Sequence, residues 1–176
     1  MTIVILGDRG QVGQSLKEEL SKEHSIISFN RGNINLSDFS LLKKKILSNP
    51  KLKLIINAVA FTDVDKAEVD KKNAREINTF LPKFLSNISL KYRVPLIHFS
   101  TDYVFDGKSK NPYKENDIPN PINYYGKTKL LGDKEILNSG CSGFIMRIGW
   151  VYSPNKNNFI GKIIELAKKK QNHKCS

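Results

Sequence analysis

The sequence predicts an α/β fold, a Rossmann-type doubly wound parallel sheet within one domain that covers residues 1–176. Short apolar runs that are typical of buried strands alternate with amphipathic helical patterns along the chain. The first run, Thr2–Leu6, leads directly into the glycine-rich turn Gly7–Gly13 and then into a helical pattern. Strand, glycine turn and helix in that order are the required context of a dinucleotide-binding βαβ unit.

Composition is that of a soluble globular protein, and we expect it in the cytoplasm. The two cysteines are too few for a disulfide framework, and no apolar run is long enough to cross a membrane. The start of the chain lacks a basic lead and is interpreted as a core strand, not a signal peptide. The net charge of +12 comes from dispersed lysines, which favours a solvated surface over a nucleic-acid patch. We therefore predict neither a nucleic acid nor a membrane as partner, and no metal site.

Periodicity assigns strands and helices in alternation. The predicted strands are Thr2–Leu6, Ser25–Phe29, Leu52–Ala60, Val94–Phe99 and Gly143–Ile148. The first predicted helix comes out of the glycine turn, with Val12, Leu16 and Leu20 on one face. The other predicted helices cover Phe39–Leu47, a region from about Asp65 to Tyr92 broken near Pro82, Asn123–Leu137, and Phe159–Lys170. Residues 107–121 are rich in Lys, Asn, Pro and Gly, which predicts an exposed loop that could act as a lid.

Each glycine of the first turn has a physical role in a dinucleotide site. Gly7 permits the tight turn, Gly10 lets the backbone approach a pyrophosphate at the helix N-terminus, and Gly13 allows the helix to pack closely on the strand. The spacing G-x-x-G-x-x-G is a weak signal by itself, so a purely structural turn remains an alternative.

The ends of the second and third strands extend this candidate site. Asn30-Arg31 stands where NAD enzymes often carry an acidic residue for the ribose, and a guanidinium suits a 2′-phosphate. NADPH is therefore favoured over NADH, although Arg31 could equally be a loop charge. Ala58 and Ala60 would let a flat cofactor lie against the backbone, but tight packing of helix on sheet explains small residues just as well.

Polar residues at the end of the fourth strand suggest an acid–base site. Ser100-Thr101-Asp102 follows a buried strand, and Tyr125 and Lys129 are four residues apart on one helix face. A nearby ammonium is expected to lower the tyrosine pKa, so that Tyr125 acts as acid, Lys129 tunes it and Thr101 orients the reacting oxygen. Hydride would come from a nicotinamide. A lone Y-x-x-x-K is usually structural; here its place after a glycine-rich βαβ unit and a polar strand end favours chemistry.

Five motifs in order resemble dTDP-4-dehydrorhamnose reductases, which are extended short-chain dehydrogenases/reductases. They are Gly7-x-x-Gly10-Gln11-Val12-Gly13, Asn57-Ala58-Val59-Ala60-Phe61-Thr62-x-Val64-Asp65-Lys66-Ala67-Glu68, Ser100-Thr101-Asp102-Tyr103-Val104-Phe105, Tyr125-Gly126-Lys127-Thr128-Lys129 and Arg147-x-x-Trp150-Val151-Tyr152. The resemblance implies reduction of the C4 keto group of dTDP-4-dehydro-L-rhamnose by NADPH or NADH. It also makes a homodimer one possible assembly of the protein.

The resemblance also implies roles for individual residues. Thr101, Tyr125 and Lys129 form the catalytic set. The implied cofactor contacts are Gly7, Gly10, Gln11, Val12, Gly13, Asn30, Arg31, Asn35, Leu36, Ala58, Ala60, Phe61, Thr62, Phe99, Tyr125 and Lys129. The implied sugar-nucleotide contacts are Val64, Thr101, Asp102, Tyr103 and Trp150. Members of the family continue well beyond a chain of this length, so we expect a largely complete cofactor site and a half-built substrate pocket.

Two other functions compete with this one. A sugar-nucleotide dehydratase or epimerase shares the fold, but dehydratases usually carry a Glu where this chain has Tyr103, and a tyrosine cannot easily replace that carboxylate base. A non-catalytic binding subunit is the other, since the regulatory beta subunit of methionine adenosyltransferase resembles the same family. The intact pair of Tyr125 and Lys129 argues against it, whereas the short chain argues somewhat for it.

Overall fold

A computed structural model describes residues 1–153 and 158–172, with side chains as far as residue 168. Its strands form one sheet in which every pairing is parallel. They are β1 (Thr2–Leu6), β2 (Ser25–Phe29), β3 (Leu52–Asn57), β4 (Leu96–Thr101) and β5 (Gly143–Ile148), in the spatial order β2-β1-β3-β4-β5. This arrangement confirms the predicted doubly wound parallel sheet.

Helices connect the strands and cover both faces of the sheet. They are α1 (Gln11–Leu20), α2 (Phe39–Ile46), α3 (Val64–Val69), α4 (Lys71–Arg75), α5 (Leu81–Tyr92), α6 (Tyr124–Ser139) and α7 (Phe159–Asn172). A π-helical turn, Glu76–Phe80, joins α4 to α5, and a 3₁₀ turn, Asp102–Val104, follows β4. Among the helices of the described ranges, none combines the length and the apolar character needed to span a bilayer.

The chain order creates a crevice beside β1. The chain passes from β1 to β2 on one side and then crosses to β3 on the other side. Open α/β sheets bind ligands at such a switch point, outside the carboxyl ends of the strands. Every residue of β1 is buried, so this part of the sheet is the most thoroughly enclosed. The fold thus positions the Gly7 turn at the expected place for a ligand.

The predicted bounds of β3 and β4 were wrong by a few residues, for local hydrogen-bonding reasons. β3 ends at Asn57, because the side-chain Oδ1 of Asn57 accepts a hydrogen bond from the N–H of Val59 at 3.2 Å and turns the chain. β4 begins at Leu96, since the N–H of Val94 still bonds to the end of α5. It continues through Thr101, which pairs with Ile148 of β5. Thr101 therefore belongs to the sheet itself.

The prediction of a helix break near Pro82 was also wrong. The interruption lies at Asp70, between α3 and α4, and the helical path then runs on to Tyr92. Near Pro82 the helix widens into the π-helical turn. A proline has no N–H to donate, so Pro82 cannot form the α-helical hydrogen bond to the carbonyl of Asn78 four residues earlier. That carbonyl lies against Gly132 of α6, where any side chain would collide with it.

We expect Gly132→Ala to destabilise the protein by about 1–3 kcal/mol, the usual cost of overpacking. The added methyl would meet the Asn78 backbone, which cannot move aside as a flexible side chain could. Urea unfolding measures the effect. Lys134→Ala, at an exposed position of the same helix, is the control and should change stability little. Equal midpoints for the two variants would show that α6 does not depend on this close contact.

Candidate active site

The glycine turn after β1 has the geometry of an anion-binding loop. Gly7 has φ +93°, and a Cβ there would lie 2.8 Å from the backbone of Ala58, the residue that follows β3. Gly13 packs directly on the carbonyl of Gly7. No side chain caps the first turn of α1, whereas Asp38 and Asn123 cap α2 and α6. The N–H groups at the start of α1 are thus left for an external anion such as a pyrophosphate.

A cavity of about 400 Å³ lies between the loop after β2 and the segment after β3. Arg31, Asn35, Leu36 and Phe61, which were all predicted cofactor contacts, help to line it. Asn78 fixes the position of Phe61, because its Oδ1 accepts the Phe61 N–H at 2.8 Å. A cavity of this size and mixed polarity can accept a nucleoside.

The candidate catalytic residues converge at the carboxyl end of β4. Thr101 is the last residue of that strand, and Tyr125 lies in the first turn of α6. The Thr101 hydroxyl donates a hydrogen bond to Oδ1 of Asp102 at 3.1 Å and lies close enough to Tyr125 to influence the pKa of its phenol. Gly126 permits this meeting, because it packs directly on the carbonyl of Tyr103 and brings the start of α6 against the 3₁₀ turn. The structure therefore brings together a hydroxyl and a phenol that are distant in sequence.

Lys129 lies one helical turn further along α6 and is only 1% exposed. Its Nζ donates a hydrogen bond to the carbonyl of Phe99 at 2.6 Å and lies 3.2 Å from Nε2 of His98. Burial lowers the pKa of Lys129 to about 8, although the negative charge of Asp133 acts in the opposite direction. Its ammonium is thus fixed on the backbone of β4.

The expectation that Lys129 lowers the pKa of Tyr125 was wrong. Burial raises the tyrosine pKa above its usual value, the neighbouring Thr101 hydroxyl opposes this rise, and the carboxylate of Asp102 adds to it. The physical reason is the orientation of the Lys129 side chain, because its ammonium points to the Phe99 carbonyl. Tyr125 therefore stays protonated at neutral pH.

Sequence reasoning missed a buried polar network beneath these residues. The carboxylate of Asp133 accepts a hydrogen bond from Ser100 at 2.9 Å and lies 3.6 Å from Nε of Arg147. Its other oxygen lies 3.8 Å from Nε2 of His98 and accepts no hydrogen bond from the described residues. Burial raises the pKa of Asp133 and, together with the charge of Lys129, lowers that of His98 well below its usual value.

Donors face both ring nitrogens of His98. Asn57 uses its Oδ1 for the N–H of Val59, so its amide nitrogen faces Nδ1 of His98 at 3.0 Å. The Lys129 ammonium, which has only donors, faces Nε2 at 3.2 Å. Two sequence signals could have found this network: a histidine within an apolar strand, and an aspartate four residues after Lys129 on the same helix face.

The predicted sugar-nucleotide contacts lie on the more open side of the site. Tyr103 is 44% exposed and its ring meets the ring of Tyr125 edge-on, with centroids 5.6 Å apart. The carboxylate of Asp102 touches Gly149, which brings the ends of β4 and β5 together. Trp150 is 75% exposed and packs edge-on against Phe159. Val64, at the start of α3, is half-buried.

The loop of residues 107–121 forms no helix or strand, as predicted, and its ends are tied down. The carboxylate of Asp106 accepts hydrogen bonds from Tyr113 at 2.8 Å and Asn120 at 3.0 Å. Tyr113 stacks on Phe105, over which the guanidinium of Arg147 also lies. The loop therefore borders the open side of the site from fixed anchors, and its role as a lid stays a prediction.

Fold and site together define the class: a Rossmann-type dinucleotide-binding protein with a Thr, Tyr and Lys set at the sheet edge. The profile of the RmlD substrate binding domain family matches residues 1–175, and the chain belongs to this family. The dTDP-4-dehydrorhamnose reductase of Salmonella typhimurium is 35% identical over 97% of this chain and 58% of its own length. That of Escherichia coli K12 is 34% identical over the same shares. The chain thus spans a little over half the length of these curated relatives.

Solved structures give the same relationship. A dTDP-4-dehydrorhamnose reductase from Clostridium acetobutylicum superposes with a TM-score of 0.88 at 34% identity, covering 96% of this chain and 60% of that one. The Bacillus anthracis dTDP-4-dehydrorhamnose reductase in complex with NADP gives 0.89 at 32% identity, with the same coverage. These similarities extend across the glycine turn, the end of β4 and α6.

The lowered pKa of Lys129 predicts a specific pH dependence of stability. Its folded pKa, about 8, lies below the ordinary lysine pKa of 10.5, so the unfolded chain binds more protons between these two values. The free energy of unfolding should therefore gain on the order of 3 kcal/mol across this window relative to Lys129→Met. Denaturant titrations of both proteins at pH 7, 9 and 10.5 measure it. Parallel pH curves for the two proteins would contradict the assignment.

Proposed function

We propose that this chain carries the cofactor and acid–base half of an NAD(P)H-dependent sugar-nucleotide reductase. The substrate would be dTDP-4-dehydro-L-rhamnose, reduced at its C4 keto group to dTDP-L-rhamnose. The observation that carries the proposal is the meeting of Thr101, at the end of β4, with Tyr125 in the first turn of α6, with Lys129 buried one turn further along the helix. The printed names of the relatives support the choice of substrate.

The residues present suit a dinucleotide. The uncapped start of α1 with Gly10, Gln11 and Val12 would hold the pyrophosphate, and the cavity beside Asn35 and Leu36 would hold the adenosine. Oε1 of Gln11 is buried without a hydrogen-bond partner among the described residues. Rotation of this amide would present its N–H₂ group to a phosphate oxygen. The bound nicotinamide supplies the hydride for the reduction.

The protein side of the chemistry follows from protonation states. The raised pKa of Tyr125 keeps its phenol protonated at neutral pH, so it can donate a proton to the carbonyl oxygen that becomes the C4 hydroxyl. Thr101 can hydrogen-bond the same oxygen and hold it beside the phenol. Lys129, with a pKa of about 8, is mostly an ammonium at pH 7, and its hydrogen bond to the Phe99 carbonyl fixes α6, which carries Tyr125, against β4. Asp102 and Tyr103 would face the sugar nucleotide.

Location and assembly are part of the same proposal. A cytoplasmic site fits a chain whose two cysteines are too few for a disulfide framework. A homodimer is the assembly that we carry over from the resemblance, and sedimentation equilibrium of the purified chain tests it directly.

We expect Tyr125→Phe to slow reduction by about 10²- to 10⁴-fold, the usual contribution of a general acid. Single-turnover oxidation of NADPH with dTDP-4-dehydro-L-rhamnose measures the rate and remains sensitive when turnover is slow. NADPH binding, followed by its fluorescence, should be nearly unchanged, because the phenol hydroxyl contributes little to affinity. Phe keeps the ring contact with Tyr103 and so preserves packing.

Tyr92→Phe, which removes an exposed hydroxyl at the end of α5, is the matched control and should behave as the natural protein does. Net loss of NADPH identifies a reductase, whereas a regenerated cofactor with an altered sugar would identify an epimerase or dehydratase. Wild-type protein that oxidises NADPH no faster than Tyr125→Phe would contradict the proposal.

A further inference from the structure

Arg147 begins the last of the five sequence motifs, yet the proposed chemistry gives it no role. It lies on β5, where it pairs in register with Ser100 of β4. Both side chains reach one carboxylate oxygen of Asp133 on α6. Ser100 donates a hydrogen bond to it at 2.9 Å, and Nε of Arg147 lies 3.6 Å from it. The Asp133 side chain is fully buried, so this carboxylate is held inside the protein.

The carboxylate of Asp133 lies between two cationic side chains, Arg147 and the buried Lys129. Nε2 of His98 lies 3.8 Å from Oδ1 of Asp133 and 3.2 Å from Nζ of Lys129. Burial and the charge of Lys129 keep the pKa of His98 well below its usual value, so this ring adds no charge of its own. Tyr125, whose pKa is raised by burial and by nearby negative charges, stays a neutral phenol. Asp133 therefore supplies the negative charge that faces both cations.

The other elements packed on α6 leave this balance unchanged. The π-helical turn contributes the neutral side chains of Asn78 and Thr79, which both bond to α6. Glu68 of α3 accepts the N–H of Tyr124, at the first residue of α6 and about two and a half turns before Asp133. Among the described residues, the charges that face the buried carboxylate are thus those of the two cations.

The buried carboxylate and the buried ammonium depend on each other for their charge. Burial lowers the pKa of Lys129 to about 8, and the negative charge of Asp133 opposes this fall. Burial raises the pKa of Asp133, while the hydrogen bond from Ser100 and the two neighbouring cations oppose this rise. Both groups are ionised in the window above the pKa of Asp133 and below about 8. Within this window the bond to the Phe99 carbonyl is charge-assisted and hence stronger than one from a neutral amine.

Arg147 also anchors the loop of residues 107–121. Its Nη1 donates a hydrogen bond to the carbonyl of Glu115 at 3.3 Å. Its guanidinium lies over the ring of Phe105, which stacks on Tyr113 with centroids 4.2 Å apart. The same guanidinium therefore contacts the loop on one side and approaches the buried carboxylate through Nε on the other.

We propose that Asp133 and Arg147 are positioning residues of the candidate active site. Asp133, as a carboxylate, keeps Lys129 an ammonium against β4. Arg147 keeps Asp133 ionised and joins it to the loop of residues 107–121. This inference rests on the proposed function, because it concerns the lysine of the candidate catalytic set. It deepens that function by linking the loop on the substrate side to the charge that fixes α6.

NMR titration of the 176-residue chain tests the role of Asp133. Lysine labelled with ¹³C at Cε reports the Lys129 midpoint, and Lys129→Met identifies the signal by its loss. Asp133→Asn keeps an oxygen for Ser100 but removes the charge, so the midpoint should fall by about one pH unit or more. Glu135→Gln, which removes a surface carboxylate paired with Lys83 from the same helix, is the control and should leave the midpoint unchanged. An unchanged midpoint in Asp133→Asn overturns the role of Asp133.

The wild type offers a second measurement that needs no folded Asp133→Asn variant. Aspartate labelled with ¹³C at Cγ reports the Asp133 midpoint. The Lys129 signal should show a second inflection at that same pH, because the ammonium senses the loss of the neighbouring charge. Titration of the carboxylate without a response of the Lys129 signal overturns the pairing.

Two substitutions separate the charge of Arg147 from its shape. Arg147→Lys keeps a cation near Asp133 but loses the planar group over Phe105. The Asp133 midpoint should then move little, while amide hydrogen exchange in residues 107–121 accelerates by about fivefold or more. Arg147→Gln loses both features and should also raise the Asp133 midpoint by about one pH unit. Loop exchange that neither substitution accelerates, or an Asp133 midpoint that Arg147→Gln leaves in place, overturns the role of Arg147.

These measurements need neither cofactor nor substrate, so they separate this inference from the proposed function. Midpoints and exchange rates that stay unchanged in the variants overturn the inference and leave the proposed function in place. Shifted midpoints in a wild-type chain that oxidises NADPH no faster than Tyr125→Phe overturn only the proposed function.

Discussion

The site depends on the hydrogen bond from the buried ammonium of Lys129 to the carbonyl of Phe99, at 2.6 Å. A charge that is removed from water must be paired and hydrogen-bonded, or the fold pays several kcal/mol for it. Lys129 meets this demand only when α6 sits at one position along β4, with Asp133 close by as counter-charge. At that position Tyr125, one turn earlier on the same helix face, falls beside Thr101. A structural requirement thus sets the geometry of the candidate chemistry.

Two glycines make this position of α6 sterically possible. Gly126 lies on the carbonyl of Tyr103 and Gly132 on that of Asn78, so the helix touches backbone at both points. At the second contact Pro82 also lies against Gly132, and it has no N–H to offer the Asn78 carbonyl. Asn78 in turn bonds both to Phe61 and to Thr128 of α6. The candidate cofactor cavity and the candidate catalytic helix are therefore joined through one buried asparagine.

Much of the fold could be predicted from the sequence, because strand and helix periodicity is a local property. The bounds of β1, β2 and β5 agree with their apolar runs, and the pair Tyr125 and Lys129 follows from helix geometry. The π-helical turn could not be predicted, since it depends on how Pro82 and α6 pack together. The pKa of Tyr125 was mispredicted because proximity in sequence does not reveal where an ammonium points. His98 and Asp133 were missed because their pairing is created only by the fold.

The two halves of the candidate site differ in burial, and this difference fits their proposed tasks. The cofactor side is built on β1, β3 and β4, whose neighbours enclose them, and its polar groups are held by short hydrogen bonds. The substrate side borders β5, an edge strand on which Phe144 is 70% exposed. A dinucleotide is the same molecule in many enzymes, so a rigid surface can bind it. A sugar nucleotide must be distinguished from close analogues, and under the proposed function that task would fall to Tyr103, Trp150 and the anchored loop beside them.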